Sequence, residues 1–129
     1  MSDTKYTASF ILDIVGNNTG EKWSGTFKVK TRLSFRDELR QDQLWRALIG
    51  SNGAEHAGPR AVEIADLLAY LQIRILESPE WWTRSGAGTE LEDDNVLQEI
   101  AKLTSEESKK VSEELKKKAE EARKSLSKE

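Results

Sequence analysis

The sequence contains no cysteine and only one histidine. The absence of cysteine excludes disulfide bonds, thiolate metal sites and cysteine nucleophiles. The single histidine, His56, lies among mostly small residues, with no fixed aspartate or nucleophile near it in the sequence. We therefore predict a protein that is not an enzyme, has no catalytic residues and requires neither a cofactor nor a metal ion. An enzymatic alternative would rest on His56 and Asp93.

Long apolar runs are also missing. No run approaches the roughly 20 residues that span a bilayer, and the polar start "MSDTKYT" lacks the charged and then apolar pattern of a secretory signal. We expect synthesis in the cytoplasm and no membrane partner.

The glycine-rich and acidic stretches do not match phosphate or calcium sites. Neither "SGAG" nor "GTE" is followed by the Lys-Ser or Lys-Thr of a phosphate loop. Glu90, Glu92, Asp93 and Asp94 lack the alternating ligands and central glycine of an EF-hand loop. Acidic side chains stabilise a helix N-terminus by charge–dipole attraction, so these four residues predict the start of a helix.

The net charge of −3 is unevenly distributed. Residues 1–60 carry nine basic and seven acidic side chains, residues 61–104 carry three and nine, and residues 105–129 carry eight and seven. The acidic middle argues against general nucleic-acid binding. A basic end and an acidic middle together favour head-to-tail self-association into a homo-oligomer.

Apolar and polar residues alternate in residues 6–15 and again in residues 23–33. A period of two is typical of half-buried strands, and the intervening "GNNTGEK" predicts a β-hairpin. A lone hairpin is marginal in water, so helices or added strands should cover its apolar face. On the other face, Lys28, Lys30 and Arg32 form a basic row, in which the two lysines are candidate partner-binding residues. The alternative role of this row is to keep the hairpin soluble.

Two helices are predicted after the hairpin. Ser34 and Asp37 occupy the N-cap and N3 positions of the first, a partial capping box because N3 is usually Glu or Gln. Gly50 is expected to end this helix. Its predicted apolar side consists of Leu39, Leu44, Trp45, Leu48 and Ile49. The second helix, from Pro59 to about residue 76, is apolar around most of its circumference, which is typical of a central core helix.

A last helix is predicted from Asp93 or Asp94 to about Leu126. Its first part can reach the core, whereas residues 105–129 offer only a thin apolar seam among Glu–Lys pairs at four-residue spacing. We predict a globular domain over residues 1–104 and a projecting charged helix over 105–129. In that helix Val111 and Leu115 are candidate partner-binding residues, and a solvated single helix is the alternative. The predicted fold class is α+β, with an N-terminal amphipathic β-hairpin packed on two or three helices and a long charged C-terminal helix.

Two adjacent tryptophans follow a proline in "SPEWWTRSG". Pro79 should end the central helix, and successive side chains of an extended segment point in different directions. We expect one of Trp81 and Trp82 to cap the core and the other to bind a partner, because tryptophan is enriched at interaction hot spots. The sequence does not determine which is which.

The order of elements resembles that of small proteins encoded in the structural gene clusters of tailed bacteriophages. The order is an amphipathic hairpin, a short helix, a strongly apolar helix, "ESPEWW", a glycine loop, "LEDDNVLQEI" and a charged tail. It is most similar to tail assembly chaperones, which also have a Pro-aromatic turn, an Asp-rich helix start and a charged helical end. The resemblance covers about residues 23–105. It implies binding to tail proteins during assembly in the host cytoplasm, without catalytic residues.

The two-stranded start departs from this family pattern. We therefore expect a non-catalytic phage assembly protein that binds tail or capsid proteins through an aromatic surface and the helical tail. The alternative is a structural subunit of the virion, a capsid decoration or tail-associated protein that uses the hairpin edge for strand addition. Neither interpretation involves nucleic acid or a membrane.

Overall fold

The computed structural model describes residues 6–50 and 53–127. It confirms the predicted α+β class, because an N-terminal antiparallel sheet packs against helices and a long C-terminal helix lies on that sheet. Parts of three predicted segments lie outside the described residues. They are the beginning of the globular domain, two positions of the loop between the first two helices, and the end of the projecting helix.

The predicted hairpin forms the first two strands of the sheet. Strands β1 (Thr7–Val15) and β2 (Lys22–Lys30) pair in antiparallel register, with Phe10 opposite Phe27. Alternation buries one face of the pair, as a period of two predicts. The opposite face is mostly polar but exposes Ile11.

Helix α1 (Phe35–Ile49) begins where Ser34 and Asp37 predict. Ser34 Oγ accepts a hydrogen bond from the Asp37 backbone N–H, and the Asp37 carboxylate accepts one from the Ser34 N–H, each at 3.2 Å. The capping box is therefore complete although N3 is Asp. Gly50 ends the helix with φ of 97°, a conformation that favours glycine. Among the other elements, α1 contacts chiefly α2.

Helix α2 (Pro59–Arg74) is the predicted central helix, but it ends earlier than predicted. At Ile75 the backbone becomes extended, with φ −72° and ψ 121°, and β3 (Ile75–Glu77) pairs with β2. The prediction of a helix to residue 76 is wrong because an apolar run fits a buried helix and a short strand equally well. The resulting sheet has the order β1-β2-β3.

The two tryptophans lie on α3 (Glu80–Arg84), a helix of five residues, so the expectation of an extended segment is wrong. Pro79 has φ of −60° and starts this helix rather than only ending the previous one. The following turn approaches Trp82 closely at Gly88. This glycine has φ of +91°, and a Cβ placed there would lie 2.6 Å from the indole ring.

Helix α4 (Asp94–Ser127) has the predicted start and nearly the predicted end. Its first turns meet the sheet, α2 and α3 in the main core. The core consists of Leu12, Phe27, Leu68, Leu71, Trp82, Val96, Leu97 and Ile100. Partial burial continues along α4 to Leu115, and residues 116–126 are exposed. The predicted domain boundary after residue 104 falls within the partly buried stretch.

Candidate interaction surface

Two large apolar side chains on α1 are exposed to solvent. The exposed fraction is 87% for Phe35 and 68% for Leu39. Residues four apart lie on the same side of a helix, so the two side chains are neighbours. The prediction that Leu39 belongs to the inward side is wrong, because α1 turns Leu44 and Leu48 toward the protein instead. A single exposed apolar residue is ordinary, but an adjacent pair on an uncovered helix face marks a candidate interaction surface.

Two arginines lie beside this apolar pair. Arg36 and Arg40 are exposed, and within the described residues neither guanidinium is paired with a carboxylate. Arg46 on the same helix, in contrast, binds Asp42 at 2.7 Å. Arginine next to exposed apolar surface is typical of protein interfaces, and unpaired positive charge favours an acidic partner. We call this surface the α1 face, defined by Phe35, Arg36, Leu39 and Arg40.

The helical pattern of the sequence contains a signal for the α1 face that sequence reasoning missed. At about 100° per residue, Leu44 lies on the side of the helix opposite Phe35. If Leu44 and Leu48 face inward, Phe35 must therefore face outward. The sequence alone does not show that no other element covers the outward side.

The predicted partner residues Trp81 and Trp82 have different surroundings. Trp82 is 3% exposed and belongs to the core, so it is the tryptophan that acts as a lid. Trp81 is half-buried, donates from its indole Nε1 to the Ser24 carbonyl oxygen at 2.9 Å, and lies 4.8 Å from the Trp23 ring. Of the predicted aromatic pair, only Trp81 is therefore partly accessible to a partner.

The predicted partner residues Lys28 and Lys30 both form ion pairs within the chain. Lys28 lies 3.6 Å from Glu77 across β2 and β3, at the surface. Lys30 donates to Asp37 at 3.0 Å, and both side chains of this pair are largely buried. Burial alone would raise the pKa of Asp37, but the hydrogen bonds from Lys30 and Ser34 outweigh it and lower the pKa. Lys30 thus links the sheet to the first turn of α1.

The predicted partner residues Val111 and Leu115 are half-buried on α4. Ser112, between them, lines a groove beside α1 and α2. A partner would therefore reach only the outer side of this seam. Three of the predicted four-residue ion pairs do not form within the described residues: Glu106/Lys110, Glu113/Lys117 and Glu114/Lys118. Lys110 binds Glu107 at 3.2 Å instead.

Asp93 has a structural role that the sequence did not reveal. Its buried carboxylate accepts four hydrogen bonds from the hairpin. In the turn, Oδ1 accepts from the backbone amides of Asn18 and Thr19 at 2.7 and 2.8 Å, and Oδ2 accepts from Thr19 Oγ1 at 2.7 Å and, at the start of β2, from Trp23 Nε1 at 2.9 Å. Burial alone would raise the pKa of Asp93, but these donors outweigh it and lower the pKa to about 2. Asp93 therefore fastens the hairpin turn to the start of α4.

The remaining candidates for catalysis or metal binding are His56 and the acidic side chains. His56 is exposed at the end of a short 3₁₀ turn, Ala54–His56. In the part of the chain that the structure describes, no three His, Asp or Glu side chains form a group that could hold a metal ion. None of the described helices has both the length and the apolar character of a membrane span.

Comparisons with protein-family models, curated proteins and solved structures each find no match to this chain. Its function is therefore inferred from its own surfaces.

Proposed function

We propose that this chain is a non-catalytic assembly protein that binds another protein through the α1 face. The observation that carries the proposal is the exposed pair Phe35 and Leu39 beside two arginines without carboxylate partners. Covering a large apolar side chain contributes about 1.5–3 kcal/mol, so a partner that covers this pair gains substantial binding energy.

The α1 face also suggests the chemistry of its partner. Apolar anchors four residues apart match the spacing by which amphipathic helices are recognised. Arg36 and Arg40 favour acidic side chains next to those anchors. The expected partner segment is an acidic amphipathic helix.

The proposed setting is the assembly of a tailed bacteriophage. Support comes from the resemblance to tail assembly chaperones in "ESPEWW", in "LEDDNVLQEI" and in the charged tail. In this setting the chain binds a tail protein in the host cytoplasm and keeps its apolar segment from aggregating until it is incorporated.

A second candidate function is that of a permanent structural subunit of the virion. One observation favours it: β1 is an edge strand of nine residues, and Ile11 on its open face is 75% exposed. Unpaired edges of this kind accept a strand from another chain. A neighbouring subunit could extend the sheet at β1.

Paired substitutions separate the two surfaces. The tagged chain is co-expressed with individual tail and capsid proteins, and the bound partner is measured after purification. The double substitution Phe35→Ser and Leu39→Ser should abolish binding. Ile11→Ser, which alters a similarly exposed residue on the open face of β1, should preserve it. Loss of binding in Ile11→Ser alone would favour strand addition. Thermal melts should show all variants within about 0.5 kcal/mol of the parent, as is usual at the surface.

Mass spectrometry of purified mature particles separates the two roles. A transient assembly factor should be absent from them, whereas a stoichiometric copy would identify a structural subunit and contradict the chaperone proposal. Light scattering of the chain, alone and with a co-expressed partner, would measure self-association.

A further inference from the structure

A groove of about 920 Å³ lies between α1, α2 and the middle of α4. Its walls include the aromatic side chains Trp45 and Tyr70 and the half-buried Arg74. No residue of the α1 face lines it, so the two surfaces are separate. Most of the other lining residues are polar or charged, and the volume falls within the about 300–1,000 Å³ that ligand sites commonly measure.

Three contacts fix the guanidinium of Arg74. Its Nη1 donates to Gln41 Oε1 at 2.8 Å and to the Tyr70 carbonyl oxygen at 3.0 Å, and the group lies 3.7 Å from the centre of the Tyr70 ring. The hydrogen bonds use one nitrogen. Within the described residues, Nε and Nη2 donate to no acceptor. The arginine is therefore held in place with part of its donor capacity unused.

Asp37 and Glu38 attract the charge of Arg74 from a distance, but no acidic side chain forms an ion pair with it within the described residues. No carboxylate of the described residues lies within 4.0 Å of it. Asp66 accepts a hydrogen bond from Trp45 Nε1 at 2.7 Å, and Asp42 is paired with Arg46. Burial lowers the pKa of Arg74, but a guanidinium stays charged in proteins. A partly buried cation without a paired anion is costly, and an incoming anion would offset that cost.

We propose that this groove binds a carboxylate, which accepts hydrogen bonds from Nε and Nη2 of Arg74. The planar fork of arginine matches a carboxylate in geometry and charge. Tyr70 and Trp45 would contact the apolar or aromatic group attached to that carboxylate. A doubly charged phosphate fits less well, because three carboxylates line the same groove and, besides Arg74, only one other cation, Arg32, lines it.

Titration of the ¹⁵N-labelled chain with benzoate tests this proposal by NMR. The indole N–H of Trp45 should shift and saturate, while the indoles of Trp23, Trp81 and Trp82, which do not line the groove, serve as internal references. Benzamide has the same ring without the charge and should cause no saturable shift. Arg74→Gln should weaken benzoate binding about 10-fold or more, the usual effect of losing hydrogen bonds to a charged group. Arg74→Lys, which keeps the charge but loses the fork, should fall between.

Peptides distinguish the sources of the carboxylate. A short peptide ending in phenylalanine with a free C-terminus is compared with its amidated form and with benzoate. Tighter binding of the free peptide identifies a polypeptide terminus as the ligand, and tighter binding of benzoate identifies a small molecule. The proposal is overturned if neither carboxylate causes a saturable shift at millimolar concentration, if benzamide binds equally, or if both Arg74 variants bind like the parent. These results do not depend on the α1 face, so the two proposals can fail separately.

Discussion

Two regions differ in how far contacts within the chain cover their polar and apolar groups. The first, called the hairpin end, is the β1–β2 turn with α3 and the start of α4. The second, called the α1 end, is helix α1 with the end of β2. At the hairpin end, each carboxylate oxygen of Asp93 accepts two hydrogen bonds, and the Trp82 ring is inside the core. At the α1 end, Phe35 is exposed and Arg36 lacks a carboxylate partner within the described residues. Folded proteins normally satisfy their buried polar groups internally. The contrast fits the proposal that the hairpin end serves stability and that the α1 face binds another molecule.

The largest effect is expected at the hairpin end, from Trp82→Ala. Removing a fully buried tryptophan should lower the free energy of unfolding by about 3–5 kcal/mol. Trp81→Ala should cost clearly less, because that side chain is only partly buried. Urea unfolding of both variants measures the difference. Equal losses would mean that Trp81 is as much a part of the core as Trp82.

The Asp93 contacts can be broken without changing side-chain size. Asp93→Asn replaces one acceptor oxygen by an amide donor, which leaves partly buried donors of Thr19 or Trp23 without an acceptor. We expect the thermal midpoint at pH 7 to fall by several degrees. Gly16→Ala should act similarly, because its Cβ would lie 2.0 Å from Asp93 Oδ2. Gly58→Ala places a Cβ in open space and should cost less, because only the preference for glycine at the N-cap of α2 is lost.

The pH dependence of stability gives a second measure of the same contacts. The folded pKa of Asp93 is lowered to about 2, below the ordinary value of about 3.9. Its contribution is therefore complete above about pH 4 and is lost as the pH falls through about 2. The difference in thermal midpoint between the parent and Asp93→Asn should shrink over this range. A constant difference would show that the carboxylate charge does not matter.

Truncation of α4 tests how much of this helix contributes to the stability of the domain. Deleting residues 116–129 should change the free energy of unfolding by less than about 0.5 kcal/mol, because residues 116–126 are exposed. Deleting residues 105–129 should cost about 2 kcal/mol, since it also removes the half-buried Val111 and Leu115. Urea unfolding followed by circular dichroism measures both changes. Equal stability of the two truncated chains would support a domain boundary at residue 104.

Local sequence rules predict most of this fold. The alternation in β1 and β2, the cap at Ser34 and the start of α4 all depend on neighbouring residues. The third strand could not be predicted, because β3 is extended only by virtue of pairing with a distant strand. The role of Asp93 is also non-local, since its donors lie at least 70 residues away in the sequence.

The two candidate sites also differ in whether neighbouring residues are enough to predict them. The α1 face can be derived from the helical positions of Phe35 and Leu44, provided that nothing covers the outer side. The Arg74 groove cannot be derived, because Gln41 and Arg74 belong to different helices and are brought together only by packing. The partner roles of Trp81, Val111 and Leu115 stay predictions.

The only stabilising effect is expected from Thr31→Val at the α1 end. The Thr31 hydroxyl is buried and has no hydrogen-bond partner within the described residues. An unsatisfied buried polar group costs about 1–3 kcal/mol, so replacing the hydroxyl by a methyl group of similar shape should raise the free energy of unfolding by about 1 kcal/mol. Thr26→Val, at an exposed position of β2, is the matched control and should change stability by less than about 0.5 kcal/mol. If Thr31→Val lowers stability in urea unfolding, the hydroxyl has a partner such as a bound water, and the α1 end satisfies its polar groups as fully as the hairpin end does.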